Sequence, residues 1–371
     1  MSLISPKTPD QTWLHSFLEE GLVASKAFHL ATPSVEHKLD QNESPWDLSQ
    51  ATKEKITAEL LSAPWNRYPN PYTPDLEDLV AAYAGVAKGS VILAPGSNYL
   101  CSLLISMFGR HRKGELVIAQ PSFPLYESHC RYDGIPYSTW KLNQHLQYDV
   151  KDLPPLRDGS VIIFASPNNP VGNVLKRTDL EYLLSKHPKS LFIADEAYYE
   201  FASEPYTDLL AKHDNLMIIR TFSKTMSAAG LRLGYLLASE SYIEQIRKLR
   251  LPFLLNHFTI IAARCMLTDE TARREITDSV QNTITSRKNL YEALDTIGDQ
   301  GGFETIPSEA NFHLLRWPND ELAQAAYQRL VACGILVRDV SKGPGLSGCL
   351  RVSIGSNEQN QALLAALAKG Q

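Results

Sequence analysis

Residues 191–198, Leu-Phe-Ile-Ala-Asp-Glu-Ala-Tyr, and residues 216–224, Leu-Met-Ile-Ile-Arg-Thr-Phe-Ser-Lys, decide the fold when read together. Each opens with apolar residues that lack a polar-out rhythm, the texture of a strand covered on both faces, and each ends in polar side chains. The same texture recurs at 115–119, 161–165 and 233–238. Arg177 to Lys186 and Ser241 to Arg250 instead space their apolar residues helically, and Pro188 and Pro252 close them. Strands alternating with helices predict an α/β fold with one central, mainly parallel sheet flanked by helices. Ligands of open α/β sheets sit beyond the carboxyl ends of the strands, where Asp195 and the Ser223-Lys224 step fall. Taken alone, Asp195 reads more simply as a helix cap and Lys224 as a surface lysine.

Beyond about Asn256 the texture changes to two long polar helices. The runs Asn311 to Arg316, Ile335 to Val340 and Cys349 to Ile354 follow, with a helix between the first two and another at the end. This predicts a smaller α+β domain. With 371 residues and 44% hydrophobic content, two lobes are expected, since a single core stops growing near about 250–300 residues. The division expected is a large domain over 29–255, with an N-terminal arm (1–28) joined to a small domain (256–371).

A formal charge of −5 with Lys and Arg scattered among Asp and Glu implies no polyanion surface, so nucleic acid is an unexpected partner. Five cysteines without close pairs argue against a disulfide framework and a zinc cluster, and fit a reducing cytoplasm. The ten histidines show no spacing suited to a metal. No basic-then-apolar leader and no apolar run of membrane-spanning length is present, so the expectation is a protein neither exported nor embedded.

The candidate chemistry lies where the strands end. Lys224 is followed by Ala228-Ala229-Gly230-Leu231-Arg232-Leu233-Gly234, so an amine, a hydroxyl and a guanidinium stand beside two glycines between two apolar strands. That composition suits a phosphate-bearing aldehyde such as pyridoxal phosphate. Lys224 would bond to the aldehyde carbon, its ammonium made less stable by desolvation and by Arg232. Asp195 would meet the ring nitrogen and keep it protonated. Gly96-Ser97-Asn98, opening the amphipathic stretch Tyr99 to Phe108, supplies N–H groups for the phosphate, and Ser223 and Arg232 supply a hydroxyl and a guanidinium. Phe123, after Gln120-Pro121-Ser122, could stack on the ring, while Asn169 and Tyr198 could donate to its phenolic oxygen.

The ordered set of segments resembles the fold-type I pyridoxal-phosphate enzymes, class I/II aminotransferases, and within them the histidinol-phosphate aminotransferases. The segments are Leu39-Asp40-Gln41-Asn42-Glu43-Ser44-Pro45, Arg67-Tyr68-Pro69, Gly96-Ser97, 166–172 (Ser-Pro-Asn-Asn-Pro-Val-Gly), Asp195-Glu196-Ala197-Tyr198, Ser223-Lys224, Gly230-Leu231-Arg232 and 346–351 (Leu-Ser-Gly-Cys-Leu-Arg). The resemblance spans nearly the whole chain. It implies Asn169 and Tyr198 at the phenolic oxygen, Asp195 at the ring nitrogen, and Ser97, Ser223 and Arg232 around the phosphate, with Asn98 at the same helix start standing where the family usually has an acidic residue. It also implies a homodimer in which Tyr68 reaches the phosphate of the other subunit, and substrate contacts from Arg351, Arg338 and Asn42. A buried structural ion pair is the competing role for Arg338. The reaction implied is transfer of an amino group from histidinol phosphate to 2-oxoglutarate, in histidine biosynthesis.

Two neighbouring readings share these motifs. A different amino donor is one; a lyase resembling threonine-phosphate decarboxylase is the other. A ligand-sensing domain of a transcription regulator would need a DNA-binding domain, for which the stretch before residue 40 is expected to leave no room. Gly343-Pro344-Gly345-Leu346-Ser347-Gly348 spells a dinucleotide-binding pattern, but a strand-like segment follows it where a helix should open, so it is expected to be a loop over the substrate site.

Overall fold

The computed structural model describes residues 10–25, 33–110 and 113–369; the remainder of the expected N-terminal arm, 1–9 and 26–28, lies outside them. A short strand β1 (His37–Lys38) precedes the strands of a seven-stranded sheet. In chain order these are β2 (Val91–Ala94), β3 (Leu116–Gln120), β4 (Ser138–Lys141), β5 (Val161–Ala165), β6 (Leu191–Asp195), β7 (Leu216–Thr221) and β8 (Gly234–Leu237). Their spatial order is β2-β8-β7-β6-β5-β3-β4. The sheet is parallel from β7 through β6, β5 and β3 to β4, while β8 runs antiparallel to both β7 and β2. Side chains alternate across each strand, so one face carries Leu93, Val117, Ile162, Phe192 and Ile218 into one core. The other carries Ile92, Ile118, Ile163, Ile193 and Ile219 into a second, beneath the helices Ser97–Arg110 and Leu125–Tyr132. Burial on both faces is why these strands read as unbroken apolar runs.

The second lobe is built on β9 (Glu304–Ile306), β10 (Phe312–Arg316), β11 (Ile335–Leu336), β12 (Arg338–Asp339) and β13 (Cys349–Ser353). Four of them form an antiparallel sheet in the order β12-β13-β10-β9, and β11 pairs with β1. The expected α/β lobe and smaller α+β lobe are both present. The helix His257–Thr268 is short and has seven buried residues rather than a polar surface; Ile260, Ile261, Ala263 and Met266 pack into the large-lobe core. The change of lobe falls inside the following helix, Glu270–Gly301, which places Ile276 in the large-lobe core and Leu290 and Leu294 in the small-lobe core. Leu39, expected with the large lobe, also packs in the small-lobe core beside the β1–β11 pair.

Candidate active site

The parallel strands deliver their polar termini to one edge of the sheet. Asp195 is the last residue of β6, level with Ala165 of β5 and Ile219 of β7. It shares the parity of Ile193, so its side chain enters the core under the two covering helices. There it is 5% exposed, with Oδ2 accepting from the Tyr126 hydroxyl at 2.5 Å and from Cys101 Sγ at 3.8 Å, and Oδ1 accepting from the Ala197 N–H at 3.1 Å. Burial raises the carboxyl pKa, and the three donors work against that rise. Neither Tyr126 nor Cys101 carried a sequence signal for this role.

After β7 the chain passes through Ser223 and Lys224. The Lys224 ammonium is half-buried and donates to the Gln41 carbonyl at 2.8 Å. Its pKa is lowered to about 8, first by burial, then by the Arg351 and Arg232 cations, against the opposing charge of Glu43. Arg232 lies in the left-handed region at φ 54 and sends Nη1 to Ser223 Oγ at 3.3 Å and to the Ala229 carbonyl at 3.1 Å. Its Nη2 lies where Gly96, at φ +88, has no side chain: a Cβ there would come within 2.6 Å of it. Gly234 in turn lets β8 approach the helix start, since its Cβ would fall 2.4 Å from the Ser97 N–H. Ser97, the exposed Asn98, Ser223 and Arg232 thus surround one helix N-terminus, whose first-turn N–H groups have no partner within the helix.

On the small-lobe side, Arg351 is 8% exposed on β13, directly opposite Arg338 of β12. Arg351 donates to the Asp40 carbonyl at 2.6 Å and to Asn169 Oδ1. Burial, with Arg338 adding to it, lowers its pKa to about 10. Asn42, at φ 53, is fixed by Ser353 and donates to the Tyr198 hydroxyl at 3.0 Å. The same segment therefore touches Lys224 through Gln41, Arg351 through Asp40 and Tyr198 through Asn42. Sequence reading caught only Asn42 of these three, because the other two act through backbone carbonyls.

Phe123 is partly buried, held beside Asn168 by the bond from Ser122 Oγ to Asn168 Oδ1 at 2.8 Å. Its ring meets Tyr126 edge-on, with centroids 5.7 Å apart. Residues 343–348 form a loop between β12 and β13; Leu346 is buried against Leu142 and Val171, and Gly345 faces Pro121. The glycine pattern thus leads into a strand, and no helix opens within it. Tyr68 stands apart from this cluster within the subunit: it is 79% exposed and stacks on Phe253 at 4.5 Å.

The arrangement offers a desolvated amine, an anion cradle, a buried carboxylate and a pair of cations. Comparison with known proteins bears on what that combination serves. A model of the family "Aminotransferase class I and II" matches residues 36–367. The histidinol-phosphate aminotransferase of Chromobacterium violaceum is 34% identical over 354 residues, covering 94% of this chain and 96% of that protein. The crystal structure of histidinol-phosphate aminotransferase from Sinorhizobium meliloti in complex with pyridoxal-5'-phosphate superposes with a TM-score of 0.78 at 21% identity, covering 93% of this chain and 95% of that one. L-threonine-O-3-phosphate decarboxylase from Porphyromonas gingivalis gives 0.75 at 23% identity, covering 90% and 98%. At those identities the two solved structures speak for the fold alone.

Proposed function

The chain belongs to the class I and II aminotransferases, and from that premise we propose that it is a pyridoxal-phosphate enzyme transferring the amino group of histidinol phosphate to 2-oxoglutarate. The observation that carries the reading is Lys224: a half-buried amine at a strand end, held at the Gln41 carbonyl, with its pKa lowered to about 8. The donor set fits the cofactor. The Gly96 gap beside Arg232 and the helix start at Ser97 suit a phosphate, and Asp195 is a buried carboxylate with neutral donors and room in its chemistry for a ring N–H.

When bound, pyridoxal phosphate supplies an electron-withdrawing ring that takes up the electron pair released from the substrate Cα. Lys224 Nζ would hold the cofactor and, with its lowered pKa, would accept the substrate Cα proton and return it. Asp195 would hold the ring N–H, and Tyr198 and the amide of Asn169 would donate to the phenolic oxygen. Ser97, Asn98, Ser223 and Arg232 would hold the phosphate, and Phe123 would stack on the ring. Arg351 and Arg338 would receive the anionic end of either substrate, a phosphate ester or a carboxylate, since guanidinium serves both. Asn42 orients Tyr198 and lines the same side.

The partner in the proposal is a second copy of the chain, which brings Tyr68 to the phosphate. Exposed Tyr68 and Phe253, stacked on each other, together with exposed Trp65, Tyr72, Leu251 and Phe258 in the same two chain segments, support such an interface, since exposed large apolar side chains call for cover. Residence in the cytoplasm accords with an enzyme of biosynthesis. Among the described residues no helix is long and apolar enough to cross a membrane.

The test is a half-reaction without keto acid. Mixing cofactor-loaded protein with L-histidinol phosphate should abolish the absorbance of the bound aldehyde as its amine form accumulates, without carbon dioxide. Carbon dioxide from threonine phosphate with an unchanged spectrum on histidinol phosphate would overturn the proposal in favour of a lyase.

A further inference from the structure

Asp195 is held by neutral donors. Because its side chain shares the parity of Ile193, it enters the core where the helices Ser97–Arg110 and Leu125–Tyr132 lie over the sheet. One residue from each helix reaches it: the Tyr126 hydroxyl at 2.5 Å and Cys101 Sγ at 3.8 Å, both on Oδ2. Oδ1 takes only the Ala197 N–H. A carboxylate has about four acceptor sites, so room for a ring N–H remains. Tyr126 and Cys101 are both wholly or almost wholly buried, and neither has a place in the reaction described above.

We propose that Tyr126, seconded by Cys101, is a positioning residue that keeps Asp195 ionised opposite the cofactor's ring nitrogen, so that the proton shared between them stays on the ring. The inference rests on the assignment of Asp195 to that nitrogen. The proton between a buried carboxyl and a pyridine has two arrangements: a carboxylate facing a protonated ring, or a neutral acid facing a neutral ring. Desolvation favours the second, because it removes both charges. A hydroxyl donating to the carboxylate strengthens as the oxygen becomes more negative, so it favours the first. Tyr126 thus acts on the ring's capacity to accept electrons without touching ring or substrate. The edge-on contact of its ring with Phe123 is a separate, packing role that phenylalanine would retain.

The experiment loads wild type, Tyr126→Phe, Cys101→Ala and Asp195→Asn with cofactor carrying ¹⁵N at the ring nitrogen, and reads that nitrogen's chemical shift. The wild type should show the protonated position and Asp195→Asn the neutral one. Tyr126→Phe should move toward neutral, and Cys101→Ala should move less in the same direction. The shift is read only from molecules that hold cofactor, so partial misfolding lowers intensity without moving the signal, and Cys101→Ala serves if Tyr126→Phe does not fold. A wild-type shift in both variants beside a displaced Asp195→Asn overturns the role of Tyr126 and leaves Asp195 in place. A wild-type shift in Asp195→Asn overturns the assignment of Asp195 itself. A second reading uses a cofactor analogue with carbon in place of the ring nitrogen. The half-reaction of Tyr126→Phe should fall about tenfold or more with the natural cofactor and match wild type with the analogue; an equal fall with both would reduce Tyr126 to packing.

Discussion

The reactivity of Lys224 should follow a titration near pH 8, where an ordinary lysine amine would still be almost wholly protonated. With a pKa of about 8 in place of 10.5, about one amine in eleven is free at pH 7, against about one in three thousand, a gain of about 300-fold. The assay is uptake of pyridoxal by cofactor-free protein, followed by absorbance in a stopped-flow instrument from about pH 6 to 10. Pyridoxal lacks the phosphate, so that group's own titration drops out. The rate should climb about tenfold per pH unit up to about pH 8 and then level. Arg351→Gln removes the second-largest cause of the shift and should move the plateau to higher pH. The same shift leaves a mark on stability. The folded pKa lies below the unfolded one, so between pH 8 and 10.5 the unfolded chain binds more protons and stability rises with pH. The penalty is complete below about pH 8, about 3 kcal/mol, and Lys224→Met should abolish that pH dependence. An uptake rate still climbing tenfold per unit at pH 10, or a plateau unmoved by Arg351→Gln, would refute the account of the amine.

Three further outcomes follow from named contacts. Glu196→Gln should cost about 3–5 kcal/mol, because Glu196 and Arg220 are each 1% exposed and Glu196 Oε2 accepts Arg220 Nε at 2.8 Å and Nη2 at 2.6 Å; calorimetry showing an unchanged melting temperature would contradict this. Gly96→Ala should weaken pyridoxal phosphate more than pyridoxal in equilibrium titrations, since the new Cβ would lie 2.6 Å from Arg232 Nη2; equal losses for the two ligands would remove Arg232 from the phosphate. Mixed dimers of Lys224→Ala and Tyr68→Phe chains should contain one wild-type site if Tyr68 works across the interface, whereas activity no higher than that of Tyr68→Phe alone would put Tyr68 in its own subunit's site.

What the sequence disclosed and what it withheld divide along a physical line. Asp195 and Lys224 were legible because each follows a buried apolar run at the sheet edge where ligands of open α/β folds sit, and because the two recur with a hydroxyl and a guanidinium in one order. Tyr126 was not, since its contact depends on a helix crossing the sheet at a particular strand, which no local pattern encodes. The parity of Asp195 with Ile193 was the one available hint that a donor must come from the helical layer. Asp40 and Gln41 were silent for a different reason: their carbonyls do the work, and any residue provides a carbonyl. Strand β4 went unread because Ser138, Thr139 and Lys141 break its apolar texture around the one buried aromatic, Trp140, and β2 because its short apolar run passes at once into Pro95-Gly96. Composition changes at about 256, where the texture of the chain's surface changes, whereas the packing clusters change further on, inside a helix long enough to serve both cores.

The electrostatics of the cluster favour anionic partners. Lys224 and Arg351 both have depressed pKa values, each for burial first and each worsened by other cations, Arg351 and Arg232 for the lysine and Arg338 for Arg351. Glu43 opposes the shift of Lys224, and Tyr198 and buried Asp40 oppose that of Arg351, without cancelling either, while Asp195 is tied to neutral donors. Part of this strain is local: Arg351 spends its donors on the Asp40 carbonyl and Asn169, and its Nε is buried without a partner. A site that crowds cations and leaves donor capacity unused lowers the cost of taking an anion out of water, because the protein has already met the desolvation of its own charges. Two anionic groups, one at the Ser97–Arg232 cradle and one at Arg351–Arg338, would relieve both halves of the imbalance. A phosphate-bearing cofactor and an anionic substrate supply one each.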